Sequence, residues 1–166
     1  MNKKTRVLTL SALFSALSLI SLYIASVWPT GQLGLAAFAS LFVMAAVIES
    51  GLLSGVYVYV ISSALAVLLL PTKTAPLLYV LFFGFYPMLK YLIERLKKKP
   101  LQWVIKLLVF NVSLCVIYFI LKVLVFDFAD TPLGAAVLVI GSNVIFALFD
   151  YGFSKVIGFY MERIHR

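Results

Sequence analysis

The 166-residue chain is 64% apolar and only 12% charged, with a mean hydropathy of +1.11. Soluble domains run at roughly 45 to 50% apolar and about 25% charged. A chain this short buries only about 70% of its unfolded surface, so water would meet the apolar surplus and lipid is the solvent that fits. The net charge of +8, from 14 Lys and Arg against 6 Asp and Glu, sits mainly at the ends of apolar runs. That placement is a membrane charge bias and argues against a nucleic-acid partner. One His, one Cys and six scattered acids argue against a conventional catalytic or zinc cluster, so no enzymatic activity, cofactor or metal is expected.

Crossing a hydrocarbon layer of about 30 Å takes roughly 20 helical residues, and six such runs can be drawn. The first, 7–27, ends at Trp28-Pro29-Thr30-Gly31-Gln32, a turn-forming cluster with an interfacial Trp. The second, 33–48, stops at Glu49-Ser50-Gly51. The third, 52–70, ends at Pro71-Thr72-Lys73-Thr74-Ala75. The fourth, 76–93, starts at Pro76, where proline suits a first helical turn, and should kink at Pro87, which lacks a backbone donor. A lysine-rich hairpin, Glu94 to Pro100, leads to the fifth run at 101–126 and the sixth at 132–160. The apolar stretch after Lys3, Lys4 and Arg6 is too long for a signal peptide and lacks a convincing cleavage site, so it counts as a span. The expected fold is all-α: one polytopic transmembrane domain of six helices.

An even number of spans puts both ends on one side. With the N-terminus in the cytoplasm, every Lys and Arg except Lys73 and Lys122 falls inside, as the positive-inside rule demands. The expectation is therefore a multi-pass plasma-membrane protein with both termini cytoplasmic.

Polar groups at membrane depth are costly, which makes each one a candidate for function or for packing. Asn111 and Asn143 both fall near mid-membrane on neighbouring runs; they either bond each other or contact a solute. Glu49, Lys90 and Asp150 fall near the inner boundary, where snorkelling and a Lys90–Asp150 pair would satisfy them; the alternative is a proton relay or coupling element. The external layer holds Trp28, Thr30, Gln32, Thr72, Lys73, Thr74, Tyr79, Asp127 and Asp130. Aromatic, amide, hydroxyl and charged groups over an apolar base are the mixture of a small-solute pocket. Small residues permit close helix approach: Gly51 and Gly55 form a G-x-x-x-G suited to internal packing. Ala12 and Ala16 form an Ala-x-x-x-Ala suited to docking another membrane subunit.

Six short-looped spans with that alanine pair in the first helix resemble the substrate-binding S components of energy-coupling factor (ECF) transporters. The stretch Phe83-Gly84-Phe85-Tyr86-Pro87-Met88-Leu89-Lys90, followed by Ile93-Glu94-Arg95-Leu96, is similar to segments of small uncharacterised six-helix bacterial membrane proteins. The resemblance implies an S-component-like bundle that binds a vitamin or other small metabolite near its outer face. It also implies docking through Ala12 and Ala16 to a transmembrane coupling subunit driven by cytoplasmic ATPases. The sequence has no G-x-x-x-x-G-K-[ST] phosphate loop, so partners would supply the energy. The competing expectation is a noncatalytic scaffold or assembly subunit of a cell-envelope complex.

Overall fold

A computed structural model of the protein describes residues 3–124 and 132–164. The described residues are helical or in short turns: α1 (Lys3–Val27), a 3-10 turn (Pro29–Gly31), α2 (Gln32–Ser50), α3 (Leu52–Leu69), α4 (Thr74–Leu78), a π turn (Tyr79–Phe83), α5 (Tyr86–Ile93), α6 (Lys99–Leu124) and α7 (Pro132–Ile164). Taking Thr74–Ile93 as one span, six helices are long and apolar enough to cross a membrane. The chain is an all-α, multi-pass membrane protein. Helices outrun the expected spans at several ends: α1 begins at Lys3 and α7 runs to Ile164, because Lys, Arg and Glu are good helix formers and carry the helix past the apolar stretch.

The fourth span departs from the expected kinked helix. Its break lies upstream of Pro87, where Gly84 N–H donates to the Tyr79 carbonyl at 2.7 Å, the five-residue spacing of a π turn. Helix resumes at Tyr86 with Pro87 in its first turn, where a missing N–H costs nothing. Proline stands in the first turn of the resumed helix, just past the interruption at Gly84 and Phe85.

Residues divide into two compact units, Met1–Gln102 and Trp103–Arg166. In the first, α1, α2 and α3 pack on one another and on the α4–α5 segment around Leu22, Ala36, Ala39, Val43, Ala46, Val58, Ala66, Leu70 and Tyr79. Apolar burial gives no advantage over lipid here, so close packing and hydrogen bonds must hold the helices together. Serines do both. Ser11 and Ser54 share a 2.7 Å hydroxyl bond, and Ser18 donates to the Ala39 carbonyl at 3.0 Å. At the far end of α1, Thr72 donates to the Ser26 carbonyl at 3.1 Å.

Gly55 is buried where a Cβ would lie 2.3 Å from Val47 Cγ2, so it serves internal packing as expected, whereas an added Cβ at Gly51 would meet nothing within 4 Å. Gly51 is the single residue between α2 and α3, at φ 90° and ψ 174°, a region open essentially to glycine alone.

In the second unit, α6 and α7 meet through Lys106 with Asp150, Phe110 with Phe146, and Asn111 with Asn143. Partners that rise on one helix as they fall on the other define an antiparallel pair.

Candidate functional site

Two turns of the first unit carry most of the residues singled out for solute binding, and the fold brings those turns together. Trp28 precedes the 3-10 turn and is 63% exposed; Thr30 lies within it and Gln32 opens α2. Thr72 and Lys73 follow α3. The Thr72 bond to Ser26 ties this second turn to the end of α1. An open cavity of about 440 Å³ lies at this end of α1, lined by Tyr23, Ile24, Val27, Trp28 and Thr30; of the candidate set only Trp28 and Thr30 reach it. Its size falls in the range of small-molecule sites, and an apolar floor with few polar groups is their usual chemistry.

Other members of the set take different places. Lys73 spends two donors on the carbonyls that end α3, Val67 at 2.7 Å and Leu70 at 3.0 Å. A cation there completes the helix end and opposes the negative end of its dipole. Thr74 is the first residue of α4. Tyr79 is fully buried, and its hydroxyl bonds Ser62 at 2.9 Å. Asp127 and Asp130 lie outside the described residues.

Tyr79 belongs to a hydroxyl cluster around the π turn that the sequence reading did not single out. The Tyr59 hydroxyl donates to the Val80 carbonyl at 2.9 Å, within the π turn itself. Ser62 reaches back to the Val58 carbonyl at 2.6 Å. Gly84 makes room for both rings: a Cβ there would lie 2.6 Å from the Tyr59 ring and 2.9 Å from the Tyr79 ring. The signal that was available is Gly84 itself, a gap among bulky aromatics.

In the second unit Asn111 and Asn143 do bond each other, one of the two expected outcomes. Each Nδ2 donates to the other's Oδ1, at 3.0 and 3.2 Å, and to the carbonyl one turn back on its own helix, Leu107 or Val139, both at 2.8 Å. A carboxamide has two N–H donors, so all four are engaged. The pair is a clasp between helices.

One turn away, the Lys106 ammonium lies 3.0 and 3.2 Å from the Asp150 carboxylate oxygens, with both side chains nearly excluded from contact with solvent or lipid. Lys106 was counted only as an inner-side charge at the sequence level; its position opposite Asp150 is set by the antiparallel register. In the first unit Glu49 meets Arg6 at 3.5 Å and the fully buried Lys90 meets Glu94 at 3.0 Å.

Ala12 and Ala16 lie on the uncovered side of α1, next to Leu8, Leu13 and Ile20, while Ser11 and Ser15 turn inward. Among the described residues no group of His, Cys, Asp and Glu suits a metal ion. No protein-family model, curated protein or solved structure matches the chain.

Proposed function

We propose that this protein is the membrane-embedded solute-binding subunit of an ECF-type uptake transporter for a vitamin or similar small metabolite. The observation that carries this reading is the open cavity of about 440 Å³ at the end of α1 that holds Trp28 and Thr30. Trp28 and Thr30 stand over an apolar floor of Tyr23, Ile24 and Val27, and Thr72 ties the second turn to the same end of α1. Trp28 supplies an aromatic wall, and Thr30 and Gln32 supply hydroxyl and amide groups. Lys73, which caps the end of α3, fixes that second turn.

In this reading the fold is an S-component-like bundle in the plasma membrane, with both termini cytoplasmic and the cavity facing out. Ala12 and Ala16 offer a low, uncovered strip on α1 against which another helix can pack closely. That strip meets a transmembrane coupling subunit, and cytoplasmic ATPases bound to the subunit supply the energy. No catalytic step is assigned to this chain.

The test is mass spectrometry of small molecules released from protein purified in mild detergent, with each hit returned in a thermal-shift assay. A retained metabolite should raise the melting temperature, and Trp28→Ala or Thr72→Val should weaken that effect severalfold. If no metabolite stabilises the protein and it instead co-purifies with envelope enzymes, the scaffold reading replaces this one.

A further inference from the structure

The turn between α5 and α6 concentrates positive charge. Arg95, Lys97, Lys98 and Lys99 are all exposed. The one acid in the run, Glu94, is held from beneath by the buried Lys90 ammonium at 3.0 Å, so it does little to offset the cations above it. Arg95 lies over the Tyr91 ring, 4.4 Å from its centre, and bonds the Tyr91 hydroxyl. Among the described residues Lys97, Lys98 and Lys99 make no salt bridge.

The backbone beneath them is closed. Leu96 N–H donates to the Ile93 carbonyl at 3.0 Å, Gln102 N–H to the Lys98 carbonyl at 3.2 Å, and the Gln102 side chain to the Leu96 carbonyl at 2.7 Å. These bonds hold a short turn against the ends of two membrane-spanning helices, Thr74–Ile93 and Lys99–Ile120. Lys97, Lys98 and Lys99 therefore stand within a few residues of the ends of both spans. Leu92 and Leu96, 48% and 38% exposed, supply apolar contact beside the charges.

We propose that this turn is a binding surface for anionic phospholipid headgroups. Clustered cations next to a membrane span attract acidic lipid over zwitterionic lipid. Here the cluster is pre-formed, its one acid is engaged by Lys90, and it directly adjoins the ends of two spans. A soluble acidic protein would have to come as close to those span ends to compete. The surface acts on lipid, so its test is independent of solute binding.

The full chain in mild detergent is incubated with an equimolar mixture of phosphatidylglycerol and phosphatidylcholine, and retained lipids are counted by native mass spectrometry. Wild-type protein should retain an excess of phosphatidylglycerol. The excess should fall about tenfold in Lys97→Gln/Lys98→Gln/Lys99→Gln, given up to about fivefold per cation before screening. It should also fade for wild-type protein as NaCl rises from about 0.15 M to about 1 M, where screening shortens from about 8 Å to about 3 Å; this arm needs no variant. The proposal is overturned by an unchanged lipid ratio in the triple variant. An equal loss in a control triple, Lys4→Gln/Lys155→Gln/Arg163→Gln, would also overturn it by showing that only net charge matters. Capture of an acidic protein by wild type and not by the triple variant, with lipid ratios unchanged, overturns it as well.

Discussion

Asn111 and Asn143 satisfy each other across α6 and α7, each amide giving one hydrogen to its partner's oxygen and one to its own helix. In lipid such a bond has no water to replace it, yet an unfolded chain in the membrane also finds partners. The net gain is therefore modest, about 0.6 to 2 kcal/mol. A double-mutant cycle of Asn111→Ala and Asn143→Ala, read by denaturant unfolding in detergent, should give a favourable coupling of about 1 kcal/mol. Strict additivity would mean that the clasp contributes nothing to the α6–α7 pair.

The Lys106–Asp150 pair should be more sensitive. Breaking a buried ion pair from one side commonly costs about 3 to 5 kcal/mol, whereas replacing both partners with apolar groups is often neutral. Lys106→Met alone should lower the melting temperature strongly, and Lys106→Met/Asp150→Leu should recover most of the loss. If the double replacement is as damaging as the single one, the pair has a role beyond charge compensation.

The glycines separate into two groups that a melting series can distinguish. A methyl at Gly55 meets Val47, and one at Gly84 meets two tyrosine rings, whereas Gly141 and Gly152 have nothing within 4 Å of an added Cβ. Gly55→Ala and Gly84→Ala should each destabilise by about 1 to 3 kcal/mol through overpacking. Gly141→Ala and Gly152→Ala should be neutral, or gain up to about 1 kcal/mol from helix propensity. Equal behaviour of all four would contradict the tight packing of α3 on α2 and around the π turn.

Much of this architecture could be read directly from residue order. Six apolar runs bounded by Trp28-Pro29, Glu49-Ser50-Gly51, Pro71, and the lysine hairpin became six spans, because lipid leaves a helix no other way to satisfy its backbone. The Asn111–Asn143 bond was one of two stated outcomes because both residues fell at similar depth on adjacent runs. Other features depended on tertiary register. Lys106 faces Asp150 only once α6 and α7 align, and the break upstream of Pro87 takes the form of a π turn at Tyr79–Phe83. Tyr79 looked like an external residue from its distance to Pro71. The packing of α3 against the fourth span buries it and gives its hydroxyl to Ser62.

Substitutions on the uncovered strip of α1 should separate solute binding from transport. Ala12 and Ala16 are exposed, so Ala12→Trp/Ala16→Trp should leave the melting temperature and solute-induced stabilisation near wild type. In cells that supply the partner subunits, uptake of the identified solute should be lost. Normal uptake by this variant would rule out docking through that strip.

The Tyr59 hydroxyl and the π turn offer a finer test. Tyr59→Phe removes the hydrogen given to the Val80 carbonyl, whereas Tyr79→Phe leaves Ser62 with its bond to Val58. A net hydrogen bond is worth about 1 kcal/mol, so Tyr59→Phe should be the more destabilising of the two. Amide hydrogen exchange should rise at Gly84 and its neighbours in that variant and stay unchanged in Tyr79→Phe.

Gly51 joins α2 to α3 with no other residue between them. So short a connection leaves nothing for a protease to cut and no slack for an epitope insertion. During biogenesis neither helix can adopt an orientation without imposing the opposite one on its neighbour. The two must enter the bilayer as one hairpin, which makes this corner a fixed point for the direction of every span that follows.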